Sequence, residues 1–108
     1  MTVRPVRLRE LAASDLEDAA DYYQEQAGAS TALDFIDAVQ TALEHIRTNP
    51  GIGNLRWAFE LDIPGLRAWP VARFDYSVFF VETGEAIDVW RLVHMRRDIP
   101  RTLRHPDA

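Results

Sequence analysis

The chain has 108 residues, 47% of them apolar and 27% charged, a balance that fits one ordinary folded domain with one core. It has no cysteine, which excludes disulfides, thiolate metal sites and cysteine nucleophiles, and no apolar run approaches the length needed to cross a bilayer. The net charge of −5 argues against direct binding to nucleic acid, because neutralising phosphates favours a basic domain.

In chain order, residues 3–9 read as a short strand, with Val6 and Leu8 at period two and Arg7 and Arg9 alternating outward. Basic residues with no apolar stretch after them do not make a signal peptide, so the expected location is the cytoplasm, with no membrane contact. Ser14-Asp15-Leu16-Glu17 has the spacing of a capping box, and Asp15, Glu17 and Asp18 suit the positive end of a helix dipole. Leu16, Ala19, Ala20, Tyr23 and Ala27 then keep to one helical face until Gly28 ends it. Ser30 or Thr31 opens a second helix, in which Ala32, Phe35, Ile36, Val39, Ala42, Leu43 and Ile46 recur at three- and four-residue steps. Asn49-Pro50-Gly51 stops it. Two helices joined by about three residues run antiparallel and side by side.

Residues 52–65, with Trp57, Phe59 and Leu61 among glycines and a proline, predict an ordered loop packed back on the core. Residues 66–71 form a strand in which Pro70 marks an edge or a bulge. Residues 76–81 form a second strand, apolar on both faces, and the turn Glu82-Thr83-Gly84-Glu85 leads to a third over 87–93. Ile99-Pro100 opens a polar, basic tail, expected to be flexible from about residue 101. The order β-α-α-β-β-β belongs to the α+β class: a helical hairpin laid on one face of a mainly antiparallel sheet, as a single domain over 1–108.

The charges are unevenly placed. Positions 10–46 hold nine acidic residues and no arginine, which predicts an acidic outer face on the helical hairpin. Positions 89–105 reverse the balance, with Arg91, Arg96, Arg97, Arg101 and Arg104 against Asp98 alone, and His94 and His105 beside them. All twelve basic residues are arginine, so lysine-based catalysis is excluded. There is no glycine-rich phosphate loop, no His-Glu-x-x-His motif and no nucleophile elbow, and no cofactor or metal site is expected. The pairs Asp15/Asp18 and Asp34/Asp37 read as a solvated helix face, since no histidine joins them. His45 reads as a surface residue near a helix end.

His94 differs, because it follows a continuous strand and opens the run His94-Met95-Arg96-Arg97-Asp98. Strand alternation puts Arg91 on the face of Ile87, Val89 and Val93. The plain structural reading of Arg91 is a stem leaving the sheet edge or pairing with a carboxylate. The functional reading is an arginine and a histidine held at a strand end to meet an anionic group. Arg67 and Arg73 bracket the first strand of the β half and would join that surface in one register.

A set of ordered segments carries a family resemblance. They are Asp15-Leu16-Glu17-Asp18-Ala19 with Tyr22-Tyr23, Ala32-Leu33-Asp34-Phe35-Ile36-Asp37-Ala38, Asn49-Pro50-Gly51-Ile52-Gly53, residues 64–71, Tyr76-Ser77-Val78-Phe79-Phe80, and residues 87–98. Together they resemble ParE toxins of type II toxin–antitoxin systems, within the wider ParE/RelE superfamily. The fold that this implies agrees with the order read from the residues.

The resemblance implies two mechanisms. RelE-type members are ribosome-dependent endoribonucleases that cut messenger RNA with basic side chains and a general acid or base. ParE-type members are poisons of DNA gyrase without hydrolytic chemistry of their own. This chain leans to the second: it has no lysine, it is acidic, and Tyr76 stands where nuclease-type relatives commonly carry an arginine. His94 points the other way, since some nuclease-type relatives place a catalytic histidine at that strand end. A third possibility is a non-toxic binding module with the same fold. The target-binding candidates are Arg91, His94, Arg96 and Arg97. The resemblance also implies a ParD-like antitoxin that wraps the toxin. Trp57, Phe59 and Trp69 are the candidate contacts, with at least one of them expected to be core.

Overall fold

The computed structural model describes residues 4–104. Its elements are β1 (Val6–Leu8), α1 (Glu10–Ala27), α2 (Ala29–Thr48), α3 (Arg56–Leu61), β2 (Leu66–Pro70), β3 (Tyr76–Glu82), β4 (Ile87–His94) and α4 (Ile99–Leu103). The expected β-α-α-β-β-β order is present, with the short helices α3 and α4 added to it. β2, β3 and β4 form an antiparallel meander, and β1 joins the far side of β4 in parallel, so the sheet runs β1-β4-β3-β2.

Strand β1 feeds directly into α1. The Arg9 N–H donates to the Val89 carbonyl at 2.9 Å as the last rung of strand pairing, and the Arg9 carbonyl accepts the Ala13 N–H at 3.0 Å as the first rung of the helix. The helix therefore begins at Glu10, a turn earlier than the capping-box spacing predicts, and Arg9 rather than Ser14 occupies the N-cap position, with no side-chain cap bond. Strand pairing sets this helix start, so Ser14 and Glu17 lie inside the helix.

The hairpin between α1 and α2 turns on one residue, Gly28, instead of the expected three or so. At φ 92° and ψ 173° it sits in a region that residues with a Cβ scarcely enter. Its N–H closes α1 on the Gln24 carbonyl, and its carbonyl opens α2 by accepting from Ala32. From α1, Ala12 and Ala19 are buried with Leu16 and Tyr23 packed beside them. From α2 the buried stripe is Phe35, Ala38, Val39, Ala42 and Ile46. The many alanines let the two helices lie close to the sheet and to each other.

Both faces of the sheet are covered. Val78, Phe80, Ile87, Val89 and Leu92 meet the helical hairpin, while Leu66, Ala68, Phe79 and Val93 meet α3, α4 and the loop between α2 and β2. This explains why β3 reads as apolar on both faces. Burying a side chain such as Phe79 or Phe80 contributes about 1.5–3 kcal/mol, so neither face tolerates water. The loop expected over 52–65 is ordered as predicted and also holds α3. Ala58, Leu55, Trp57, Leu61 and Ile63 press onto the second face, and Asp62 closes the helix in the left-handed conformation at φ 54°. Asn54 exchanges two backbone hydrogen bonds of 3.1 Å with Ala68, which covers part of the open edge of β2. Pro70 ends that strand at the sheet edge, where its missing N–H costs nothing.

The segment read as the start of a flexible tail is instead the last turn of α4. The Asp98 side chain caps it by accepting from the Arg101 N–H at 3.1 Å, and Ile99 and Leu103 are buried. His105 lies outside the described residues.

Candidate functional site

The site is built on a β-bulge. β3 and β4 pair in one register from Tyr76↔His94 to Phe79↔Arg91 and resume at Phe80↔Val89, which leaves Trp90 as an extra residue in β4. The bulge splits the set that alternation would put on one face: Arg91 stays with Val93, and Ile87 and Val89 fall on the other side. Val89 and Leu92 both face the helical hairpin, whereas Val93 faces α3 and α4. Arg91 pairs opposite Phe79 and its side chain reaches across the strand edge toward α1.

There it meets Asp15. Arg91 Nε donates to Asp15 Oδ2 at 2.7 Å and Nη2 donates to Oδ1 at 2.9 Å, a two-pronged contact with both side chains largely buried. Asp15 Oδ2 also accepts the Leu92 N–H at 3.0 Å, and Arg91 Nη1 donates to the Thr102 carbonyl at 3.3 Å. One ion pair thus ties α1, β4 and α4 together just beyond the point where β1 stops pairing with β4. The hydrogen bond to Asp15 raises the Arg91 pKa above its already high ordinary value, against the opposing effect of burial. Asp15 is therefore not part of a solvated face, and the structural reading of Arg91 as a paired arginine describes what it does.

Above this pair opens a cleft of about 780 Å³, between α1 on one side and the ends of β3 and β4 on the other. Its walls include Tyr22 and Tyr23 from α1, Tyr76 from β3, and His94, Arg96 and Arg97 from the end of β4 and the turn after it. All four residues singled out at the strand end, Arg91, His94, Arg96 and Arg97, line this one cleft. Their environments differ. Arg91 is committed to Asp15, whereas Arg96 is exposed and only loosely near Asp75, at 3.7 Å. Arg97 is exposed and makes no ion pair within the described residues, although its charge reaches the Tyr76 hydroxyl.

His94 is the last residue of β4, not the first residue beyond it. Its ring stands edge-on to Tyr76, with centroids 5.1 Å apart, and Nδ1 accepts the Arg96 N–H at 3.1 Å. That bond places the proton of the neutral ring on Nε2. Burial raises the pKa of the Tyr76 hydroxyl, and the nearby Tyr23 raises it further. Tyr23 is raised in the same way, by burial first and then by Tyr22 and Asp75. Both phenols therefore stay protonated, as donors, at neutral pH. Reading the sequence missed the tyrosine walls. Their signal was the spacing of Asp15, Asp18 and Tyr22 on one helical face, but nothing local showed that this face looks onto the end of β4.

The other candidates scatter. Phe59 on α3 is 81% exposed, while Trp57 and Trp69 are half-buried on opposite faces of the sheet. Trp57 carries the Arg56 guanidinium over its ring at 4.4 Å, and Trp69 meets the ring of His45. No one of the three is fully core. Arg67 turns away from the cleft to donate to the Gly53 carbonyl at 3.3 Å. Arg73 sits exposed in the β2–β3 turn with a left-handed φ of 70°. Among the described residues no group of three or more histidine, aspartate or glutamate side chains is placed to hold a metal ion, and no helix is long and apolar enough to cross a membrane.

Comparison with known proteins bears on this geometry. No curated protein sequence matches the chain. A solved structure described as "Chromosomal ParDE TA system from P. aeruginosa" superposes with a TM-score of 0.73 at 22% identity, over 87% of this chain and 98% of that one. At that identity the likeness concerns the fold. The family model described as "ParE toxin of type II toxin-antitoxin system, parDE" matches residues 6–99, from the first strand to the first residue of α4. The chain belongs to the ParE toxin family of type II toxin–antitoxin systems.

Proposed function

We propose that the chain arrests bacterial growth by acting on DNA gyrase through protein–protein contact in the cytoplasm, and that a ParD-like antitoxin neutralises it. Membership of the ParE family supports this reading, and the cleft at the end of β4 carries it. Arg96 and Arg97 stand exposed on its rim with His94 between them and the floor, where a partner's surface can reach them. A phosphodiester-cleaving site needs several cations converging on one phosphate. Here the most buried cation, Arg91, is neutralised by Asp15, and the chain has no lysine to replace it. The antitoxin is expected to cover the exposed Phe59 with the half-buried Trp57 and Trp69, burying apolar surface as it folds onto the toxin.

The direct test combines purified chain, gyrase and supercoiled plasmid. Gyrase-dependent linear DNA is the expected product, and reversing Arg96 and Arg97 to glutamate should remove it while antitoxin binding survives. Full activity in that double variant would exclude the rim. One observation favours a second reading: His94 beside Tyr76 is a pair able to exchange protons with an RNA substrate. Rapid loss of messenger RNA in translating cells, abolished by His94→Ala, would move the chain to the ribonuclease class. Normal growth on expression without a partner would leave only the binding module.

A further inference from the structure

At the strand end, the cleft offers mainly donors, while its only carboxylate without an ion pair among the described residues, Asp18, stands on the opposite wall. The hydroxyls of Tyr22, Tyr23 and Tyr76 have no hydrogen-bond partner among the described residues, and neither has His94 Nε2. Arg97 adds a guanidinium without an ion pair among the described residues, and Arg96 a loosely held one. The acceptor at the floor, Asp15, is saturated by Arg91 and the Leu92 N–H. An anionic ligand of this cleft therefore places its negative charge at the strand end, away from Asp18.

Charge on the opposite wall narrows the choice. Asp18 lines the cleft from α1 without an ion pair among the described residues, and Glu17, Asp21 and Glu25 are exposed on neighbouring turns of that helix. A nucleic-acid strand running from the basic rim across the cleft would carry its next phosphates toward these carboxylates, at a cost in like-charge repulsion. A peptide with one carboxylate at the strand end brings no second charge to that wall. Tyr22, which is 57% exposed, and Tyr76 offer apolar ring faces to the side chain beside that carboxylate.

We propose that the cleft is a docking site for a single acidic side chain of the target protein, held by Arg96, Arg97 and His94 Nε2, with an adjacent aromatic side chain packed against Tyr22 and Tyr76. The proposal rests on the reading of this chain as a protein-directed toxin and names the chemistry of the segment it recognises. Here His94 donates through its Nε2–H, and Asp15 and Arg91 hold the wall in place without touching the ligand.

The test is a titration of the isotope-labelled full chain, followed by amide and imidazole resonances, with the peptide acetyl-Gly-Asp-Phe-amide at millimolar concentrations. Saturable shifts at Tyr22, Tyr76, His94, Arg96 and Arg97 are expected, weakened about tenfold or more when Asn replaces Asp in the peptide. A tenfold change corresponds to about 1.4 kcal/mol. The exposed Arg97→Gln variant should weaken the Asp peptide but not the Asn peptide. Equal binding of both peptides, no saturable shift, or tighter binding of a thymidine dinucleotide would each overturn the proposal. The gyrase assay is independent of it: linear DNA without peptide binding rejects only this docking chemistry, and peptide binding without linear DNA rejects only gyrase as the target.

Discussion

Removing Asp15 offers the sharpest check on the physical account of the site. In Asp15→Ala, the Arg91 guanidinium loses both hydrogen bonds to the carboxylate and keeps only its 3.3 Å bond to the Thr102 carbonyl, while the Leu92 N–H loses its acceptor. With the Arg91 side chain only 11% exposed, water restores little of this, so the expected loss is near the lower end of the range for a broken buried pair, about 3 kcal/mol. For a domain of this size that lowers the melting temperature by roughly 12–24 °C, at about 4–8 °C per kcal/mol. Arg91→Met leaves Asp15 with the Leu92 N–H and should cost about 2–3 kcal/mol. In the Asp15→Ala/Arg91→Met double variant no charge is left unpaired, so it should lose clearly less than the two single losses combined. Urea unfolding followed by tryptophan fluorescence would give a coupling energy of about 1.5–3 kcal/mol, insensitive to salt because the pair is shielded. A coupling below about 0.5 kcal/mol would refute the view that this pair ties α1, β4 and α4 together.

Gly28→Ala meets no atom within 4 Å of the new Cβ, so only the backbone conformation resists it. The strain of about 1–3 kcal/mol is partly offset by a stiffer unfolded chain, leaving a net loss of about 1–2 kcal/mol in urea midpoint experiments. Gly53→Ala should cost more, because its Cβ would lie 2.6 Å from the Ala68 carbonyl oxygen and break the bridge to Asn54. Asp62→Gly relieves a left-handed residue at the end of α3 and should stabilise the fold by about 0.5–1 kcal/mol. The raised phenol pKa values of Tyr23 and Tyr76 mean that the folded state holds these protons more tightly than the unfolded chain does. Their contribution is complete below the ordinary phenol range and falls as pH rises through it, so stability should decline above about pH 10. Tyr76→Phe should flatten that decline, and an unchanged pH profile would show that Tyr76 does not contribute to it.

Much of this protein is written in local periodicity. The apolar spacing from Ala32 to Ile46 can bury one face only as a helix, and the glycine before it permits only a sharp reversal, so the hairpin follows from neighbouring residues. The same holds for the three strands of the β half, whose turns carry their own glycine, threonine and proline signals. Family membership was legible too, because it rests on the ordered string of such segments. The start of α1 was misplaced because a long-range bond, Arg9 to Val89, overrode a local capping signal. The segment after residue 99 looked polar because Ile99 and Leu103 are separated by one helical turn among basic residues, which hides a buried pair.

The cleft belongs to the other category. A single extra residue, Trp90, decides which way Arg91 points, and no alternation rule shows a bulge, because it appears only in the pairing of β4 with β3. Asp15 and Arg91 are 76 positions apart, and only the docking of α1 against β4 turns an apparent surface carboxylate into the partner of a buried arginine. Residue type and spacing determined which elements form and which charges gather at the end of β4. Tertiary structure decided which of those charges are spent within the fold and which stand open to a partner, because that depends on distances between elements that the local sequence does not encode.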